Sequence, residues 1–270
     1  MKVVLFCGGL GTRLHPYTED VPKPLIEIGG KPILLLLMKY YAYFGHKDFI
    51  LCLGYKGEEI KKFFLNYDAS LSGDFTLSGG GKKDILSKSE TDDWKITFAE
   101  TGLNSNQSYR LKAVQKYVGK DEHFLANYSD GLTDLYLPDL IDFSLKKDKI
   151  ACLMTVKPSI TFHSVLADRN CHVKNICYLN KTQFRMNGGF FVFKNEIFDY
   201  INPHDDLIND TFQRLAHKHE LVAYKFNGFW ASLDTYKDKQ RLEDLSSKRT
   251  AFWEIWNKTV RKSSGSQPSD

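Results

Sequence analysis

A glycine turn on the end of a buried strand constrains this chain more than any other feature. Lys2 to Cys7 is an unbroken β-branched and apolar run, and it leads directly into Gly8-Gly9-Leu10-Gly11-Thr12-Arg13. Without polar alternation, the run predicts a strand covered on both faces, as in parallel sheets. The glycines let backbone N–H groups turn toward an anion with no Cβ in the way. Arg13 adds a fork of donors and Lys23 a point charge, a combination suited to a polyphosphate.

Three other readings of the turn compete. A dinucleotide fingerprint needs a third glycine where Leu14 stands and a helix directly afterwards, yet Pro16, Pro22 and Pro24 oppose a regular helix there. A P-loop in SGGGKKD would need glycine at Thr76 and Ser or Thr at Lys83. A tight turn without a ligand explains neither Arg13 nor Lys23.

Beyond the turn, strand and helix signals alternate. Pro32 opens a helix over Ile33–Phe44, apolar nearly all round and therefore buried. A strand over Asp48–Leu53 and a helix over Glu58–Tyr67 follow, an order that predicts right-handed crossovers and a mainly parallel sheet. Residues 68–93, rich in Ser, Gly and charge, interrupt the pattern as a long loop or protruding hairpin. Further strands are expected at Trp94–Ala99, His123–Tyr128, Ile150–Val156, Ser164–Ala167, His172–Cys177, Phe190–Phe193 and Leu221–Phe226. Helices are expected at Asn106–Val118, Leu140–Leu145, Asp206–Lys218 and Asp238–Ser247. One domain over residues 1–245, a helical segment over 246–261 and a disordered tail over 262–270 complete the expected organisation.

Composition narrows the partners. A net charge of +4 over 270 residues is too small for a nucleic-acid binder. The longest apolar run, Ile33 to Met38, falls far short of a membrane span of roughly 20 residues, and the opening MKVVLFCGG is expected to be too short an apolar run for a signal peptide. Five cysteines cannot all pair. Cys7, Cys52 and Cys152 lie in apolar runs as small hydrophobes, and the spacing of Cys171, His172 and Cys177 does not suit zinc. A soluble protein in a reducing, cytoplasmic setting is the expectation.

The segment GGLGTRLHPYTEDVPKPLIEIGGKPIL resembles the signature of the sugar nucleotidyltransferases, the nucleoside-diphosphate-sugar pyrophosphorylases. Within them the likeness is to the glucose-1-phosphate cytidylyltransferase branch. KDFILCLGYKGEEIKKFF, YSDGLTDLYL, NGGFFVF and GFWASLDTYKDK extend it, in order, to about residue 245. The resemblance implies an α/β fold of the glycosyltransferase-A type, a mixed and mainly parallel sheet flanked by helices. It implies cytidylyl transfer from CTP to a sugar 1-phosphate with Mg²⁺, giving a CDP-sugar and pyrophosphate, in service of nucleotide-sugar and polysaccharide synthesis. By position, Gly8, Gly9, Leu10, Gly11, Thr12 and Arg13 would cradle the triphosphate and Lys23 neutralise it, Arg13 and Lys23 being the catalytic pair. Asp130 and Asp234 would hold the metal, Asn104 and Arg110 would read the base, and Lys181, Asn187 and Gly188 would meet the acceptor.

Three departures from the family pattern qualify this. Asn180-Lys181 replaces a Glu-Lys-Pro sequence, and Thr161-Phe162-His163 replaces Arg-Phe-Gly. Both point to an acceptor other than glucose 1-phosphate, such as another sugar, polyol or small-molecule phosphate or phosphonate, the alternative being neutral drift with the same acceptor. Gln107-Ser108-Tyr109-Arg110 replaces Thr-Gly-Gly-Arg, which leaves UTP or dTTP behind CTP. A non-catalytic nucleotide-sugar regulator is the alternative of a different class, although such a binder has no need of two metal carboxylates. A second copy of the chain is a candidate partner. His15 is expected on the surface and Trp230 in the core.

Overall fold

The computed structural model describes residues 1–15, 17–67, 75–78, 82–85, 91–159, 162–248 and 250–257. Seven strands form the central sheet: β1 (Val3–Phe6), β2 (Asp48–Leu53), β3 (Lys95–Glu100), β4 (His123–Asn127), β5 (Ala151–Val156), β6 (Met186–Lys194) and β7 (Leu221–Lys225). Their order across the sheet is β7-β5-β6-β4-β1-β2-β3. Every neighbouring pair is parallel except those of β6, which runs antiparallel to both β4 and β5. The expected mixed, mainly parallel α/β sheet is therefore present.

β1 shows why its sequence carries no polar alternation. Val3 and Leu5 pack on one face with the helix Ile33–Tyr43, while Val4 and Phe6 pack on the other with Leu111, Val118 and Phe212. Both faces being covered, every residue of the strand is buried. A third apolar cluster lies beside these two layers. It joins Leu14, Ile26 and Ile28 of the proline-rich loop to Leu132, Leu233, Leu242 and Trp253. The helix Ile33–Tyr43 sits between sheet and third cluster, giving Leu34, Leu37 and Met38 to one and Ile33 and Leu36 to the other. Its apolar character all round follows from that position.

Several elements differ from expectation. The helix read over Asn106–Val118 is two, Gln107–Ala113 and Gln115–Val118, parted at the β-branched Val114, whose ψ is near zero. Leu140–Leu145 is the middle of a longer helix, Leu137–Lys147, with Pro138 in its first turn. Asp206–Lys218 opens as a π turn, Leu207–Phe212, capped by the Asp206 carboxylate, before Gln213–His217 turns α-helical. Within 68–93, Phe75–Ser78 and Lys82–Ile85 pair as antiparallel strands. Only part of that excursion lies among the described residues, and the 262–270 tail lies outside them. A second hairpin, His163–Ala167 with Val173–Tyr178, has mostly exposed side chains. Cys7, Cys52 and Cys152 are buried as expected. No helix among the described residues is long and apolar enough to cross a membrane.

Candidate active site

The glycine turn is anchored from behind. Cys7 N donates to Cys52 O at 3.0 Å and Tyr55 N to Gly8 O at 3.2 Å, which ties the end of β1 to the end of β2. Gly11 has a left-handed φ of +64°, and a Cβ there would approach Thr18 Cγ2 to 2.9 Å. The next residues form a short 3-10 turn, Thr12–Leu14, whose Leu14 is buried in the third cluster. Gly9 and Leu10 therefore face outward from a loop fixed at both ends. Nothing lies within 4 Å of where a Gly9 Cβ would stand.

Two acidic residues far apart in sequence meet beside this loop. Asp130 follows β4 through Ser129, a non-glycine residue held at φ +66°. Ser129 Oγ donates to Phe6 O at 2.8 Å and its N–H to Asn127 Oδ1 at 2.9 Å, contacts that offset the cost of a left-handed serine. Asp234 arrives on the ribbon in which Trp230–Ser232 pairs with Gly131–Thr133. Leu233 N donates to Asp130 O at 2.9 Å, so the backbone itself joins the two acids.

One ammonium bridges both carboxylates. Lys23 Nζ donates to Asp130 Oδ2 at 2.5 Å and to Asp234 Oδ1 at 2.8 Å. Arg13 donates to the same Asp234 oxygen at 2.8 Å, and Ser232 Oγ to its Oδ2 at 3.0 Å. Burial pushes the Asp130 carboxyl above the usual carboxylate range in spite of Lys23 beside it. Burial acts the same way on Asp234, but Lys23, Ser232 and Arg13 outweigh it and hold that carboxyl low. Burial also works against the Lys23 ammonium, yet the two carboxylates keep it charged beyond the ordinary lysine range.

These groups open onto a cavity of about 810 Å³. Residues Gly8 to Arg13, Lys23, Asn104, Arg110, Asp130, Asn187, Gly188 and Asp234 all line it, so the structure gathers nearly every residue singled out from the sequence. Lys181 is the exception. It lies exposed in a 3-10 turn at the root of the second hairpin, its ammonium 5.9 Å above the Tyr178 ring, and does not line the cavity. The sequence placed it by a local pattern, whereas the hairpin carries that stretch out of the site.

Arg110 also differs from expectation. It is buried, and its four terminal N–H groups are spent on Leu53 O, Thr101 Oγ1, Gly8 O and Leu103 O. In this arrangement it ties the glycine turn to the ends of β2 and β3 while still lining the cavity. His15 is exposed, as expected, and pairs with Glu19. Trp230, expected in the core, packs half-buried against it and also lines the cavity, donating from Nε1 to Gly188 O at 2.8 Å. Asn187 donates to the Tyr128 hydroxyl at 3.1 Å and accepts from Gly189 N. The Asn187-Gly188-Gly189 run both floors the cavity and sits at the register shift between β5 and β6. Ser129, Ser232 and Tyr128 escaped sequence reasoning, because a serine beside an aspartate carries no signal until the fold shows what it holds.

Asp130 and Asp234 offer oxygen donors only, gathered round one cation. That set suits a hard divalent ion completed by phosphate oxygens, and no cluster of three or more metal-binding side chains exists among the described residues. Cys171, His172 and Cys177 form no such cluster either.

Comparison with known proteins agrees with this geometry. Residues 2–239 match the family model described as nucleotidyl transferase. The chain is 40% identical over 258 residues to the glucose-1-phosphate cytidylyltransferases of Salmonella typhimurium and of Salmonella typhi, covering 95% of this chain and all of each relative. Among solved structures it shares the fold of the inositol-1-phosphate CTP transferase from T. maritima, with a TM-score of 0.60, 17% identity, and 94% and 96% of the two chains covered. A sheet with ligand groups at its strand ends, a glycine turn facing paired carboxylates, and whole-length likeness to cytidylyltransferases establish that this chain belongs to the nucleotidyl transferase family.

Proposed function

We propose that the chain transfers a cytidylyl group from CTP to a sugar 1-phosphate, releasing pyrophosphate and forming a CDP-sugar. The convergence of Arg13, Lys23, Asp130 and Asp234 beside the glycine turn carries this reading. An acceptor phosphate oxygen attacks the α-phosphorus in line, an O–P bond forms, and the bond to the β-phosphate oxygen breaks. No covalent intermediate with the protein is required, so its work is alignment and charge neutralisation. Backbone N–H groups from Gly8 to Thr12 receive the triphosphate, and Arg13 neutralises charge on the departing pyrophosphate. Mg²⁺, held by Asp130 and Asp234 together with phosphate oxygens, would supply electrostatic stabilisation of the phosphoryl oxygens when bound. Asn104, Asn187 and Gly188 line the same cavity, and this reading gives Asn104 to the base and Asn187 and Gly188 to the acceptor.

Glucose 1-phosphate is the acceptor this reading favours. Thr161 lies outside the described residues. Asn180, Lys181 and His163 are exposed on the second hairpin and do not line the cavity, so these departures do not argue against it. The test is a pyrophosphate-release screen crossing CTP, UTP, dTTP, ATP and GTP with sugar, polyol and amino-acid phosphates. CTP with glucose 1-phosphate should give the highest kcat/KM. Arg13→Ala should lose about 2–4 kcal/mol of transition-state stabilisation, and Asp130→Asn should lose Mg²⁺-dependent turnover while keeping its melting temperature. Normal turnover by Asp130→Asn at saturating Mg²⁺ overturns the metal assignment. Absence of release with every one of the five nucleotides overturns the activity.

A further inference from the structure

We infer that Lys23 is a built-in counter-cation that competes with the divalent ion for Asp130 and Asp234, so that the ion enters only together with the nucleotide. This rests on the nucleotidyltransferase reading of the site. The Lys23 ammonium stands 2.5 Å and 2.8 Å from one oxygen of each carboxylate, which is where an ion shared by the two acids would have to sit. The two occupants exclude each other by space and by charge. Asp130 and Asp234 are already balanced by Lys23 and Arg13, so a divalent ion arriving alone would leave a half-buried pocket with two uncompensated positive charges. Arriving with a triphosphate, it brings the negative charge that the displaced ammonium needs.

The backbone allows this exchange without a large movement. Lys23 lies between two buried prolines, Pro22 and Pro24, and its carbonyl accepts from Ile26 N at 3.1 Å, so the main chain is fixed. Its stem lies against the glycine turn: a Cβ on Gly11 would stand 3.1 Å from Lys23 Cβ. From that fixed root, rotation about the outer bonds of a four-carbon side chain carries the ammonium from the carboxylates to the phosphates over Gly8–Gly11. Arg13 cannot substitute, because it reaches only Asp234 and its side chain is 71% exposed.

The test uses Mn²⁺ in place of Mg²⁺ and reads binding rather than turnover, by the electron paramagnetic resonance signal of the free ion corrected for the Mn²⁺ that the same CTP holds without protein. Wild-type protein should bind Mn²⁺ weakly alone and roughly tenfold or more tightly with CTP, a coupling within the usual range. Lys23→Met should bind Mn²⁺ alone roughly tenfold more tightly than wild type, and CTP should then add less. Lys23→Gln, which keeps a hydrogen-bond donor but no charge, should behave in the same direction and serves if the methionine variant does not fold. Nucleotide-free Mn²⁺ affinity unchanged or weakened in the folded variant overturns the inference. Failure of wild type to bind Mn²⁺ even with CTP, or binding untouched by Asp130→Asn, overturns the metal site itself, an outcome distinct from loss of the exchange alone.

Discussion

The glycines of the turn do different jobs, and single substitutions separate them. A Cβ on Gly8 would come within 2.1 Å of the buried Arg110 guanidinium, and one on Gly11 would crowd Thr18 in a left-handed conformation. A Cβ on Gly9 would meet nothing within 4 Å. Gly9→Ala should therefore leave the melting temperature nearly unchanged and still lower turnover and raise the KM for CTP, because the methyl projects where phosphates must approach. Gly8→Ala and Gly11→Ala should lower stability as well. Full activity in Gly9→Ala would remove the cradle from the mechanism. At this scale the sequence was readable where chemistry depends on residue type: glycines, two basic residues and two acids. The structural role of Arg110 was not legible, because three of the four acceptors it meets are backbone carbonyls, which a sequence does not display. Lys181 was misplaced because a short motif does not say which way its hairpin leaves the sheet.

Elements were legible where burial is two-sided and less so at their ends. β1 is apolar throughout and the helix Ile33–Tyr43 is so apart from Lys39, and their boundaries follow the sequence pattern closely. The helix expected over Asp238–Ser247 begins earlier, at Tyr236, because Thr235 accepts from Asp238 N while the Asp238 carboxylate accepts from Thr235 N at 2.8 Å. This reciprocal cap has an aspartate where glutamate or glutamine is usual, which made its sequence signature faint. The cap also sets the chain direction at Asp234, one residue upstream. Thr235→Ala should cost about 1 kcal/mol of stability and reduce kcat by more than that loss of folded protein explains, since Asp234 loses its fixed exit. Thr235→Ser should restore both. Chemical denaturation alongside steady-state kinetics checks the pair, and a stability loss with unchanged kcat would disconnect the cap from the site.

Across the whole molecule the catalytic charges stand on the third apolar cluster rather than on the sheet alone. Leu14 follows Arg13, Leu132 lies two residues beyond Asp130, and Leu233 precedes Asp234, so packing among these three leucines holds the charges together. Trp253 belongs to the same cluster, 2% exposed, its ring tilted against Phe229 with centroids 5.8 Å apart. Sequence patterning set residues 246–261 apart from the main unit, because a short, mixed segment shows no period of its own. Its described part nonetheless supplies one of the largest buried side chains of the protein. Trp253→Ala should then cost about 3–5 kcal/mol, lower the global melting temperature in a single transition, and reduce turnover by loosening Asp234. Trp253→Phe should be far milder, since the indole N–H has no hydrogen-bond partner among the described residues and its removal leaves no acceptor unsatisfied there. Calorimetry of the two variants decides between an integral and an appended segment. A Trp253→Ala protein that keeps the wild-type transition would mean that the C-terminal residues merely rest on a site already complete without them.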